Sequence, residues 1–160
     1  MRRAETTAGV RKVLSAQLLG FPADARALIL NCDDLGMHES INTAVLAAAQ
    51  QGVAGSASLM VPCPAAREAI RLLRGAPEVP FGIHLTLTRD GAAHRWGPVS
   101  APTEVPSLVD DGGLFFTSAA VPQLLVGARI EEVEQELRAQ IGAVARAGLR
   151  QDRAVPAVAA

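Results

Sequence analysis

Short apolar runs alternate along the chain with stretches whose apolar residues have helical spacing. The first run, 27–32, has no polar alternation, which is typical of a strand buried on both faces of a parallel sheet. Two more strands are predicted at 57–61 and 81–87. Helices are predicted between them, at 40–50 and 65–73. This repeat of strand and helix predicts parallel strands joined by right-handed crossovers.

The remaining segments predict two further helices and one long loop. A helical stretch at 13–19 carries Val13, Leu14, Leu18 and Leu19 on one face. Segment 88–118 is rich in Gly, Pro and Asp and keeps no period, which predicts a lid or a substrate-binding insertion. The strongest helix is 129–147. We expect its inward face to hold Ile130, Val133, Leu137, Ile141 and Val144, and its outward face Glu131, Glu132, Glu134, Glu136 and Arg138.

The length of the chain limits the fold to one core. A closed eight-stranded barrel takes ~250 residues, with ~200 as a lower bound, and this chain has 160. We therefore predict an α/β fold, the amino-terminal part of an incomplete (β/α) barrel. The predicted organisation is an N-terminal helical arm at 1–26, a partial barrel domain at 27–150 with the insertion 88–118, and a divergent tail at 151–160, where Pro156 disfavours a central strand.

Composition narrows the classes of partner. With 15 basic and 16 acidic residues the net charge is −1, which argues against nucleic acid as a partner. No apolar run reaches the ~18 residues of a membrane span, and no signal-peptide pattern follows Met1. The two cysteines, Cys32 and Cys63, fit a reducing compartment as buried, inert thiols. We expect a cytoplasmic protein without a membrane partner.

Asp33 and Asp34 are the first candidates for chemistry, because ligands of parallel α/β folds sit at the carboxyl ends of the strands. Adjacent carboxylates repel each other unless a cation or a proton is present. A divalent metal would leave one as ligand and the other as base. The alternative is that one of them caps the following helix, since Asp is a preferred cap residue.

His84 lies in the third predicted strand. It could be a hydrogen-bonded core histidine, or it could point to the same rim as the aspartates. The second arrangement predicts a carboxylate–imidazole site suited to Zn²⁺, Mn²⁺ or Mg²⁺.

The long loop holds two candidate substrate-binding residues, His94 and Trp96. A loop tryptophan can cover the edge of a core or form an aromatic plate for a sugar ring, and the sequence does not choose between these. His94 and His38 lack the spacing of a ligand pair, so a solvent-facing or local role is also open for both.

Three segments together are similar to the YdjC-like carbohydrate deacetylases. They are Leu28–Met37 with Asn42, then Ser56–Val61, then Gly82–Thr88. The resemblance extends from about 21 to 150, including 105–110 and 113–116. It implies a metal-dependent hydrolase on a barrel-like fold that removes acetyl groups from N-acetylated amino sugars, with Mg²⁺ or Zn²⁺ as cofactor. By position, Asp33 resembles the general base, and Asp34 and His84 resemble metal ligands.

The chain departs from the family pattern after 150. Family members continue with a motif that supplies a further metal-binding histidine, whereas this chain has Gln151-Asp152-Arg153 and no histidine after His94. We expect the last ten residues to be out of frame or otherwise replaced. An active enzyme would need a ligand from His94, Asp110 or a second subunit.

Two other functions stay open. The first is a catalytically dead, truncated remnant that acts as a binding or regulatory module. The second, more remote, is a Mg²⁺-binding phosphoacceptor signalling domain, which would need an aspartate where His84 stands. An open half-barrel exposes its sheet edges, so we expect self-association through them unless another polypeptide completes the fold.

Overall fold

The computed structural model describes residues 15–149, which form an α/β fold around one parallel sheet. The strands pair in the order β1-β2-β3, and both pairings are parallel, as predicted. The elements are α1 (Ser15–Leu18), β1 (Asn31–Leu35), α2 (Glu39–Gln50), β2 (Ser56–Leu59), α3 (Ala66–Gly75), β3 (Phe81–Ile83), the 3₁₀ turns Pro106–Leu108 and Ser118–Ala120, α4 (Val121–Gly127) and α5 (Ile130–Arg146).

Helices α2 and α3 pack on one face of the sheet. Apolar side chains of the three strands pack with α2 and α3 in the first core, which includes Leu35, Ala57, Leu59, Val45 and Leu73. The opposite face carries the polar residues of β1 and β2. Because strand residues alternate between faces, an apolar period of two on β2 leaves Ser56 and Ser58 on the open side.

The prediction that the first strand is 27–32 and buried on both faces is wrong. The strand begins at Asn31, and Leu28 and Ile29 before it are 79% and 82% exposed. β1 and β3 are the two edge strands within the described residues. Association through these edges stays a prediction.

The segment 88–118, predicted as an irregular loop, is ordered on a second core. This core contains Met60, Cys63, Trp96, Val105, Leu108, Phe115 and Leu124. Single bridges join Arg89 to Thr117 and Val109 to Phe115. The sequence shows no period there because isolated large side chains, rather than a regular element, make the contacts. The short helix α4 was not predicted.

Helix α5 has nearly the predicted bounds, and its predicted inward face is right only in part: Val144 is buried and Val133 packs against the second core. Ile130 and Ile141 are exposed, whereas Glu132 and Glu136 are buried. The reason is hydrogen bonding. Glu136 accepts from the backbone N–H groups of Val99 (2.9 Å) and Ser100 (2.9 Å).

The same face of α5 binds two other backbone segments. Glu132 Oε2 accepts from Ser107 N at 2.8 Å. Gln140 exchanges two hydrogen bonds with the backbone of Thr86, at 3.0 and 2.7 Å. Buried carboxylate and amide groups on this helix therefore satisfy backbone groups of the long loop and of the segment after β3.

Some predictions fall outside residues 15–149. These are the positions Val13 and Leu14 of the predicted first helix and the whole tail 151–160. Among the helices of the described part, none is both long and apolar enough to cross a membrane.

Candidate active site

A bulge at the end of β1 places two adjacent carboxylates on the same side of the sheet. Cys32 pairs with Ala57 and Leu35 with Leu59, so Asp33 and Asp34 together stand opposite Ser58. In a regular strand neighbouring side chains point to opposite faces. The extra residue removes that alternation locally, which is how bulges redirect side chains near functional sites.

The backbone at Asp34 has an uncommon conformation. Its φ of 63° is the only positive value among the non-glycine residues described, and Gly36 follows with φ 99°. Aspartate tolerates the left-handed region better than most residues, but at a cost. Gly36 is also required for space, because a Cβ there would lie 3.0 Å from Met60 O and 3.2 Å from Ala66 Cα.

Asn42, on the first turn of α2, holds this turn in place. Its Oδ1 accepts from Gly36 N at 2.7 Å, and its Nδ2 donates to Ala65 O (3.1 Å) and to Glu68 (2.9 Å). The side chain is fully buried. From the sequence, Asn42 was predicted only as part of the family pattern. The signal for its role is an amide on the apolar side of a helix, where asparagine is otherwise unfavourable.

Asp34 and His84 come together at the carboxyl ends of β1 and β3. His84 follows Ile83 directly, and its backbone N–H donates to Leu59 O at 2.9 Å. Its Nδ1 lies 3.5 Å from Asp34 Oδ1, and the two side chains are 39% and 43% exposed. The pair is therefore open to solvent on one side. The alternative of His84 as a core histidine does not apply.

This pair fits two ligands of one divalent ion. Two atoms each about 2.1 Å from a tetrahedral ion lie about 3.4 Å apart, close to the observed separation. Within residues 15–149, however, no group of three or more His, Cys, Asp or Glu side chains could hold a metal. His94 and Asp110, considered as sources of a third ligand, do not complete the set. Asp110 is instead bound by Arg89 at 2.8 Å.

Asp33 is held beside this pair by neutral donors. Its Oδ1 accepts from Asn31 Nδ2 at 2.6 Å and from Ser58 Oγ at 2.7 Å. Ser58 Oγ also lies 3.4 Å from His84 Nδ1. Asn31 and Ser58 were not predicted as site residues. The signal for both is the polar period of two along their strands.

A cavity of about 390 Å³ borders the turn that follows Asp34. Its lining includes Met37, His38, Pro64, His94, Arg95 and Trp96. Trp96 is 3% exposed, and its indole N–H donates to Thr88 O at 3.0 Å. The ring therefore belongs to the second core, and Trp96 also lines the cavity. His94 is exposed, with its ring centroid 5.3 Å from that of Trp96.

His38 and Cys63 have local roles. His38 caps α2, since its Nδ1 accepts from Ser40 N at 3.1 Å. Burial raises the pKa of the Cys63 thiol to about 12, and the negative charges of Asp34 and Asp90 act in the same direction. Cys63 is thus a neutral core thiol and a poor metal ligand.

Arg89 holds parts of the long loop together. Its guanidinium donates to Phe115 O at 2.7 Å and to Asp110 Oδ2 at 2.8 Å. Burial raises the pKa of Asp110, but the Arg89 hydrogen bond and the backbone N–H groups of Leu114 and Gly112 outweigh it, so the pKa is lowered. Asp110 is a structural anion of the loop.

Comparison with known proteins supports the resemblance seen in the sequence. The family described as "YdjC-like protein" matches residues 27–153. The chain belongs to the YdjC-like family. One relative is a carbohydrate deacetylase of Geobacillus stearothermophilus, which is 40% identical to this chain over 116 residues. The match covers 72% of this chain and 42% of the relative. A carbohydrate deacetylase of Brevibacillus brevis is 39% identical over 77% of this chain and 45% of its own length.

A solved structure supports the YdjC-like fold. It is a crystal structure from Enterococcus faecalis V583, provisionally assigned to cellobiose-phosphate cleavage. Its TM-score is 0.68 at 32% identity, over 78% of this chain and 46% of the other. The chain thus spans a little under half the length of these relatives. The partial α/β fold expected from the sequence agrees with this match.

Proposed function

We propose that this YdjC-like chain carries part of the active site of a carbohydrate deacetylase. The proposed reaction removes the acetyl group from an N-acetylated amino sugar. The relatives named carbohydrate deacetylases support the reaction class. The single observation that carries the site is the 3.5 Å approach of Asp34 and His84, with Asp33 beside them. Hydrolysis joins a water oxygen to the acetyl carbon, breaks the C–N bond and leaves acetate and the sugar amine.

The proposed roles follow from how each side chain is held. Asp34 and His84 would hold Zn²⁺ or Mg²⁺, which supplies Lewis acidity toward the amide carbonyl when bound. Among the described residues, the hydrogen-bond donors to Asp33 are the neutral side chains of Asn31 and Ser58, so its carboxylate remains available to take a proton from water. The cavity lined by His94 and Trp96 lies along the same turn and would bind the sugar.

Acetate release from N-acetylated chitooligosaccharides, with Zn²⁺ or Mg²⁺ added, tests this proposal. We expect release by the wild-type chain and a loss of about 10²-fold or more in Asp33→Asn, the usual contribution of a general base. Asp111→Asn, an exposed aspartate of the long loop, is the matched control and should match the wild type. No release by the wild-type chain at any metal concentration would contradict the proposal and favour the inactive remnant.

A further inference from the structure

The open face of the sheet carries a row of polar side chains joined by short hydrogen bonds. Ser56 Oγ donates to Asn31 Oδ1 at 2.6 Å, and Asn31 Nδ2 donates to Asp33 Oδ1 at 2.6 Å. Ser58 Oγ donates to the same oxygen, Asp33 Oδ1, at 2.7 Å. The row therefore ends at one oxygen of one carboxylate.

The two oxygens of Asp33 are unequal as a result. Oδ1 accepts two hydrogen bonds, whereas within the described residues no hydrogen bond reaches Oδ2. The orientation of the Asn31 amide is fixed by Ser56. Because Ser56 donates to the carbonyl oxygen of the Asn31 side chain, the amide nitrogen of Asn31 is the atom turned toward Asp33.

We infer that Asn31 and Ser58 are positioning residues that clamp Asp33 through Oδ1 and leave Oδ2 as the proton acceptor. This inference rests on the proposed function, in which Asp33 is the general base. The proton then moves from water to Oδ2 while the water oxygen bonds to the acetyl carbon and the carbonyl electron pair moves onto the carbonyl oxygen. Holding the base in one orientation favours the reaction, since misplacement by about 1 Å can cost about 10²-fold in rate.

Steady-state kinetics of Ser58→Ala and Asn31→Ala test the clamp. We expect kcat for acetate release to fall about tenfold to 100-fold while KM stays the same, because the inferred role of both residues is to orient Asp33 and not to bind the substrate. Ser58→Thr, which keeps the hydroxyl group, should restore kcat. Ser118→Ala removes a serine whose hydroxyl donates to Asp90 O in the long loop, and this control should behave as the wild type. Unchanged kcat in both alanine variants overturns the inference, as does a fall in Zn²⁺ affinity that parallels kcat.

A measurement without turnover separates this inference from the proposed function. Three-bond NMR couplings about the Cα–Cβ bond of Asp33 should report one rotamer in the wild type and averaging over rotamers in Ser58→Ala and Asn31→Ala. If the wild type releases no acetate, the proposed function fails, and one wild-type rotamer lost in the variants still supports the clamp. Averaging in the wild type itself overturns the clamp whatever the activity.

Discussion

Asp34 Oδ1 and His84 Nδ1 lie 3.5 Å apart, although Asp34 belongs to β1 and His84 follows β3, the two edge strands of a three-stranded sheet. Strands two places apart are separated by about 9–10 Å, so the side chains must reach across the middle strand. Two features make this reach feasible. The bulge turns Asp34 toward the open face, and the residue of β2 between them is the small Ser58.

Metal binding should depend on this pair. By calorimetric titration with Zn²⁺, we expect Asp34→Asn and His84→Ala each to weaken binding by about tenfold or more, because each removes one ligand. Asn is chosen at 34 because it tolerates the positive φ. His94→Ala is the matched control and should bind as the wild type does. Equal affinities in all four proteins would remove Asp34 and His84 from the metal site.

Gly36 should be far less replaceable than Gly52. Both have positive φ, 99° and 75°, but only at Gly36 would a Cβ meet the backbone, at Met60 O and Ala66 Cα. We expect Gly52→Ala to cost about 1 kcal/mol of unfolding free energy, the penalty of the left-handed conformation. Gly36→Ala should cost about 2–4 kcal/mol, because strain and displacement of backbone add to it. Urea denaturation measures both, and equal costs would show that the turn has free space.

The buried Glu136 should stabilise the long loop, whereas its neighbour Glu134 should not. Glu136→Ala leaves the N–H groups of Val99 and Ser100 without their acceptor, which should cost about 2–3 kcal/mol. Glu134 forms an exposed ion pair with Arg138, so Glu134→Ala should change stability by about 0.5 kcal/mol or less. Hydrogen exchange should accelerate at Val99 and Ser100 in the first variant only. Protection that persists there would mean that other groups order the loop.

The Arg89–Asp110 pair should make stability depend on acid pH. The folded-state pKa of Asp110 lies below its ordinary value of 3.8, so as pH falls the unfolded state takes up the proton first. The stabilisation is complete above the ordinary pKa and is lost as pH falls through the folded-state value. Asp110→Asn should therefore be less stable than the wild type at pH 7, with a difference that shrinks below about pH 4. Asp111→Asn should show no such narrowing in urea denaturation, and a constant difference for Asp110→Asn would contradict the assigned cause.

Predictability differed between the sheet region and the region after it. The strands and helices up to Ile83 were predicted in the right order, because apolar runs and helical spacing there reflect burial in the first core. The first strand was placed too early, since Leu28 and Ile29 are as apolar as a buried strand yet lie outside the sheet. Helix α5 was found, but its buried side was predicted only in part, because hydrophobic spacing cannot reveal a carboxylate that backbone donors hold in the interior.

The sequence by itself determined the alternation of strands and helices, the family, and the residue types available for chemistry, since these depend on local pattern. Only the tertiary structure decided that Asp33 and Asp34 face the same side, that Asn31 and Ser58 bond a single oxygen of Asp33, and that His84 meets Asp34. The reason is physical. Each of these relationships depends on strand register and on a bulge, and register is fixed by contacts between segments distant in the chain.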